Sequence, residues 1–90
     1  MAVQVRIPTM LRANTDGSAS VTAEGANVKE VLGDLVRRFP GLEAQLMDGA
    51  QLHRFVNVYV NDEDIRYLDA LDTKVAPGDV VSIVPAVAGG

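Results

Sequence analysis

The chain closes on Gly89-Gly90, and this dipeptide offers the clearest chemistry in the sequence. A terminal carboxyl has a reference pKa of about 3.5 and is ionised at neutral pH. As a carboxylate it is a poor electrophile but a competent nucleophile toward an activated phosphorus. A partner that supplies ATP can convert it to an acyl-adenylate, from which a sulfur or nitrogen nucleophile displaces AMP. Glycine has no side chain, so such a tail can thread a cleft too narrow for other residues. Extended, the four residues beyond Ala86 reach roughly 13–14 Å. A diglycine at one given place arises by chance about once in 200, so the dipeptide alone decides little. Its weight comes from lying one short tether beyond the last strand.

The remaining chemistry-bearing residues are sparse. His53 is the single histidine, with no serine or cysteine nucleophile apparent as a pair for it, and reads as a surface residue at the start of a strand. With one histidine and no cysteine, neither a zinc site nor a disulfide framework is expected. Asp62-Glu63-Asp64 lacks the spaced ligands and glycine of a calcium loop and reads as a solvated hairpin turn. Gly25 stands alone before the helix, so no phosphate-cradling glycine loop is formed. No catalytic constellation emerges, and the chain is expected to be a non-enzyme.

Several elements must position the tail. Val3, Val5 and Ile7 alternate with Gln4, Arg6 and Pro8, the period of a half-buried strand. Thr15-Asp16-Gly17 signals a turn, and Ala19, Val21 and Ala23 alternate in a second strand. From Asn27 the period changes: Val28, Val31, Leu32, Leu35, Val36 and Phe39 form one apolar stripe of a helix over 27–39. Asn27 with Glu30 suits a capping box, and Pro40-Gly41 stops the helix. Gly33, inside the helix, is expected to let it lie close to the sheet. Leu42 to Met47 suggests a short helical turn broken by Asp48-Gly49-Ala50. Val56, Val58 and Val60 then oppose Phe55, Asn57 and Tyr59 across a strand, Asn61 to Asp64 turns the chain, and Ile65 to Leu68 suggests a short edge strand. Pro77-Gly78-Asp79 is a turn into a last strand, Val80 to Pro85, where proline ends the ladder or marks an edge. One long helix must cover one face of the sheet. The fold expected is α+β, a β-grasp with a mixed sheet on one main helix, residues 1–86, followed by a flexible tail, 87–90.

Ninety residues with 48% apolar content suffice for one domain with a real core. Twelve acidic against eight basic residues, with no cluster of lysine and arginine, argue against nucleic acid. No basic segment followed by an apolar run opens the chain, and no stretch is long enough for a bilayer; a cytoplasmic protein without a membrane partner is expected.

The segment Pro77 to Gly90, PGDVVSIVPAVAGG, resembles the C-terminal signature of the ubiquitin-like sulfur carriers of the ThiS/MoaD family. IPTMLR near the start and LHRFVNVYVNDEDIR in the middle resemble the actinobacterial carriers that serve cysteine biosynthesis. The resemblance implies that an E1-like adenylating enzyme activates the Gly90 carboxylate, preceded by Gly89, and that a sulfide equivalent converts it to a thiocarboxylate. It further implies a sulfur-acceptor synthase that uses pyridoxal phosphate and a zinc metallopeptidase that releases cysteine. ATP, pyridoxal phosphate and zinc belong to those partners, and no cofactor is assigned to this chain. Acceptors in molybdopterin, thiamin or secondary-metabolite synthesis remain alternatives. So do a ubiquitin-like modifier joined to lysines and a plain interaction module with an inert tail. Phe55, Tyr59, Val84 and Val87 are the residues expected to seat a partner, with the Val81/Ile83 or the Val80/Val84 set beside the aromatic rings. The competing arrangement has residues 61–76 folded over those rings.

Overall fold

The computed structural model describes residues 2–49, 51–53 and 56–85. Strand β1 (Ala2–Arg6) leads through a 3-10 helix (Thr9–Thr15) to β2 (Ser20–Glu24), and helix α1 (Val28–Arg38) follows. A 3-10 turn (Pro40–Leu42) and the short α2 (Glu43–Leu46) lead to a small hairpin of β3 (Met47–Asp48) and β4 (Gln51–Leu52). Then come β5 (Val56–Val60), β6 (Glu63–Asp64), two 3-10 turns (Ile65–Tyr67 and Ala70–Asp72) and β7 (Val80–Pro85). The main sheet runs β2-β1-β7-β5-β6, with β1 parallel to β7 and the other neighbours antiparallel. This is the expected mixed sheet on one main helix, a β-grasp-like fold.

Period-two alternation sorts the sheet into two faces. Val3, Val5, Val56, Val58, Val60, Val81 and Ile83 are buried, together with Val28, Val31, Leu32 and Leu35 of α1. The last strand thus sends Val81 and Ile83 inward, which leaves Val80, Ser82 and Val84 on the outer face.

Helix α1 starts where its cap requires. Asn27 Oδ1 accepts the Glu30 N–H at 2.8 Å. Glu30 Oε1 reaches one residue further back than in a simple capping box, accepting the Ala26 N–H at 2.8 Å. The Val28 N–H donates to the Thr73 carbonyl, which ties this end of the helix to the segment before β7. The glycine that permits close approach is Gly25 rather than Gly33. A Cβ on Gly25 would lie 2.7 Å from the Val31 nitrogen, whereas one on Gly33 would meet nothing within 4 Å. Gly33 faces outward, so it does not serve helix–sheet contact.

The helix also closes one edge of the sheet. The Glu24 N–H of edge strand β2 donates to Asp34 Oδ2 at 3.0 Å, and the Arg38 guanidinium donates to the Thr22 carbonyl. The Glu24 amide first, then Arg37, hold the Asp34 carboxyl below its ordinary value. Two outward-pointing groups of the strand are thereby occupied, which suppresses pairing with another chain.

The chain between β5 and β7 departs from the expected edge strand at Ile65 to Leu68. That segment opens with a 3-10 turn, and the edge strand is Glu63–Asp64, paired with Val60 and Tyr59. Asp64 causes the change: its side chain accepts the Arg66 N–H at 2.9 Å and the Arg66 guanidinium at 2.7 Å. Ile65 then turns into the core.

Candidate functional site

Gly89, Gly90, Val87 and Phe55 lie outside the described residues. The structure instead defines the platform from which the tail departs. Strand β7 occupies the centre of the five-stranded sheet, held by β1 on one side and β5 on the other. Its final described residue, Pro85, pairs with Val56. Proline supplies no N–H to the ladder there.

The outer face around that point is a row of alternating residues. Arg6, Ser82 and Tyr59 stand in register across β1, β7 and β5, and Val84 stands opposite Asn57. Tyr59 and Val84 therefore share a face, one diagonal step apart, as the expected partner seat requires. Val84 is 41% exposed, and Tyr59 is half-buried. Beside Tyr59 lies a groove of about 440 Å³ walled by Asp62, Glu63, Asp64, Arg66 and Tyr67. Segment 61–67 thus flanks the ring without closing over it, and Tyr67 itself is exposed.

The acidic turn divides by role. Asp62 and Glu63 are exposed, as expected of a solvated turn, and Asn61 and Asp62 both adopt positive φ. Asp64 differs: it is buried, and Arg66 holds its carboxyl below the ordinary value, first through the guanidinium and then through the backbone N–H. Asp79, at the turn into β7, is lowered by the Asn61 side chain and then the Ala76 N–H. Asn61 accepts the Val80 N–H in return, so this polar cluster fixes where β7 starts. Among the described residues no group of histidine, cysteine and carboxylate side chains could hold a metal.

His53 is half-buried between β4 and β5 rather than a surface residue at a strand start, and its backbone N–H donates to the Leu46 carbonyl at 2.7 Å. It borders a groove of about 500 Å³ together with Leu52, Val56, Ile65 and Leu71. The groove on the tail's own side is a different one, of about 380 Å³, and it contains two residues that the sequence reading passed over. Arg6 and Arg12 line it with Pro8, Ser82, Val84 and Pro85. Arg6 was legible only as the polar partner in an alternating strand. Arg12 arrives there on a 3-10 helix that has no apolar period to announce it.

The comparisons with known proteins agree with this geometry. The ThiS family model matches residues 5–90. The sulfur carrier protein CysO of Mycobacterium tuberculosis is 50% identical over 93 aligned positions, covering 100% of both chains. A chain in the crystal structure of the Amycolatopsis orientalis BexX/CysO complex is 51% identical with a TM-score of 0.91, covering 98% of this chain and 99% of that one. That neighbour is held in a complex with a partner protein. The small archaeal modifier protein 1 of Methanosarcina acetivorans is 27% identical with a TM-score of 0.88, covering 99% and 96%. No helix among the described residues is long and apolar enough to cross a membrane. On the sequence signature, the sheet order and the match that runs through the final residue, the chain belongs to the ThiS family.

Proposed function

We propose that the protein is a sulfur carrier whose cargo is held on the carboxyl of Gly90. The observation that carries this reading is the full-length 50% identity to a protein named as a sulfur carrier, which includes the stretch from β7 to the diglycine. In the proposed sequence the Gly90 carboxylate attacks the α-phosphorus of ATP bound by an E1-like adenylating enzyme, and pyrophosphate leaves. A sulfide equivalent attacks the acyl carbon of the adenylate and AMP leaves, giving a thiocarboxylate. Its sulfur is the better nucleophile and passes to an acceptor synthase. Cysteine is the product favoured by the likeness to the CysO proteins. In that route a pyridoxal-phosphate synthase is the acceptor, and a zinc metallopeptidase restores the Gly90 carboxyl. All these cofactors sit on the partners. Tyr59 and Val84, with Phe55 and Val87, form the proposed partner seat beside the tail.

The test is the intact mass of the protein after incubation with an adenylating enzyme, ATP and sulfide. The expected result is the increment for one sulfur replacing one oxygen, absent from a chain lacking Gly89-Gly90. An unchanged mass with an enzyme that loads a related carrier would overturn the reading. The likeness to a small archaeal modifier protein supports a second reading, in which a lysine amine displaces AMP and forms an isopeptide. That reading predicts adducts the size of whole proteins.

A further inference from the structure

Resting on the carrier reading, we propose that the groove at the root of the tail is a charge clamp for an acidic segment of the adenylating enzyme. The groove combines an apolar floor of Pro8, Val84 and Pro85 with two arginines from different elements. Arg6 projects from β1 and is exposed. Arg12 comes from the Thr9–Thr15 helix and is half-buried, its Nε donating to the Ile7 carbonyl at 3.1 Å. That bond fixes the stem of Arg12 while its terminal nitrogens bond to no described residue.

The pairing of the other described arginines sets these two apart. Arg37 and Arg38 share Asp34, and Arg66 is bound by Asp64. Neither Arg6 nor Arg12 forms an ion pair with any described residue, although the chain carries twelve acidic residues and a net charge of −4. Asp62 lines the neighbouring groove with Arg6 but does not pair with it. Two guanidinium groups left open on one groove of an acidic protein are complementary to carboxylates. Their planar forks suit bidentate capture of those groups.

Tether length decides which partner reaches them. The five residues after Pro85 span at most about 17 Å. An enzyme that holds Gly90 against ATP must therefore bring its surface within that distance of Pro85, which is itself a wall of the groove. The fitting occupant is a loop bordering the tail cleft of that enzyme, with carboxylates on either side of an apolar residue that rests on Val84.

The experiment measures AMP release by the adenylating enzyme, supplied with ATP and sulfide, as the full-length carrier is varied. Arg6→Glu together with Arg12→Glu is expected to raise KM about tenfold or more with kcat unchanged, and Arg6→Lys with Arg12→Lys to recover only the part of the loss that is due to charge, because lysine lacks the bidentate fork. Added salt should raise the wild-type KM and leave that of the reversed variant flat or lower. Thermal melts verify that the variants fold; should Arg12→Glu unfold the chain, Arg6→Glu alone is expected to raise KM about threefold. Lys74→Glu, an exposed single reversal near the start of α1 that matches Arg6→Glu alone in charge, should leave KM near wild type. An unchanged KM in the reversed variant, an equal rise with Lys74→Glu, or a rise confined to the acceptor synthase each overturns the clamp while the carrier reading stands. If the wild-type chain releases no AMP, the carrier reading fails and the clamp falls with it.

Discussion

Strand β7 puts two neighbouring environments within six residues. Val81 and Ile83 are 0% and 3% exposed beneath α1, while Val84, the next residue along, is 41% exposed on the opposite face. The inner set joins a continuous apolar cluster with Val5, Val58 and Leu35. The outer set has Arg6, Asn57 and Tyr59 for neighbours and leads directly to the tail. One strand thus divides by side-chain parity: alternate residues hold the domain together, and those between them lie on the outer face where the partner seat is proposed. The division teaches that stability and carrier activity should respond to different substitutions even where these are adjacent in sequence.

Substitutions on the inner side should act on stability alone. Leu35→Ala, at a fully buried helix position, is expected to cost about 2–5 kcal/mol in urea unfolding, with unchanged sulfur loading per folded molecule. A loss of loading in protein that is still folded would blur the proposed division.

A smaller effect comes from the edge of the sheet. Asp64→Asn removes the charge that caps the turn after β6 and receives Arg66, at an expected cost of about 1–2 kcal/mol at pH 7. The sign of the pH dependence follows from the lowered carboxyl. Its contribution is fully present above the unfolded value of about 3.9 and is lost as pH falls through the lower folded value. Wild type and variant should therefore converge in stability as the pH is taken below about 4, with Asp34 and Asp79 adding acid sensitivity common to both. A difference that stays constant down to strong acid would show that the charge pair is not its source.

Gly33→Ala should go the other way, stabilising by about 1 kcal/mol through helix propensity, because the added methyl meets nothing within 4 Å. Destabilisation would mean that α1 lies closer to a neighbour than described. The smallest effect on folding belongs to the outer face: Val84→Ser should shift stability by no more than about 0.5 kcal/mol. In an adenylation assay it should nonetheless raise KM, and an unaltered KM would remove Val84 from the partner seat.

What was legible in the sequence follows from period and length. Helix α1 carries a long apolar stripe with a cap at Asn27, and β1, β5 and β7 alternate over five or six residues, so their bounds are close to those read from the chain. The hairpin of β3 and β4 was not legible, because strands of two residues have no period. The turn at Ile65 was misread because an apolar residue after a turn suggests a strand, whereas the Asp64 side chain takes the next N–H and bends the backbone. For the site, the diglycine announces its chemistry by residue type together with its place one short tether beyond the last strand. Arg12 does not, since only the 3-10 path from Thr9 brings it beside Pro85. Gly33 shows the converse: a helical glycine suggested close packing, yet the tight approach is at Gly25.

The central claim concerns the one acyl carbon at the chain terminus. Incubation with an adenylating enzyme, ATP and isotopically labelled sulfide, followed by fragmentation of the C-terminal peptide, tests it most directly. A label retained by the fragment ending in Gly90, and absent from every internal fragment, is the predicted result. A labelled internal residue, or an unlabelled terminus in protein that has turned over ATP, would contradict it.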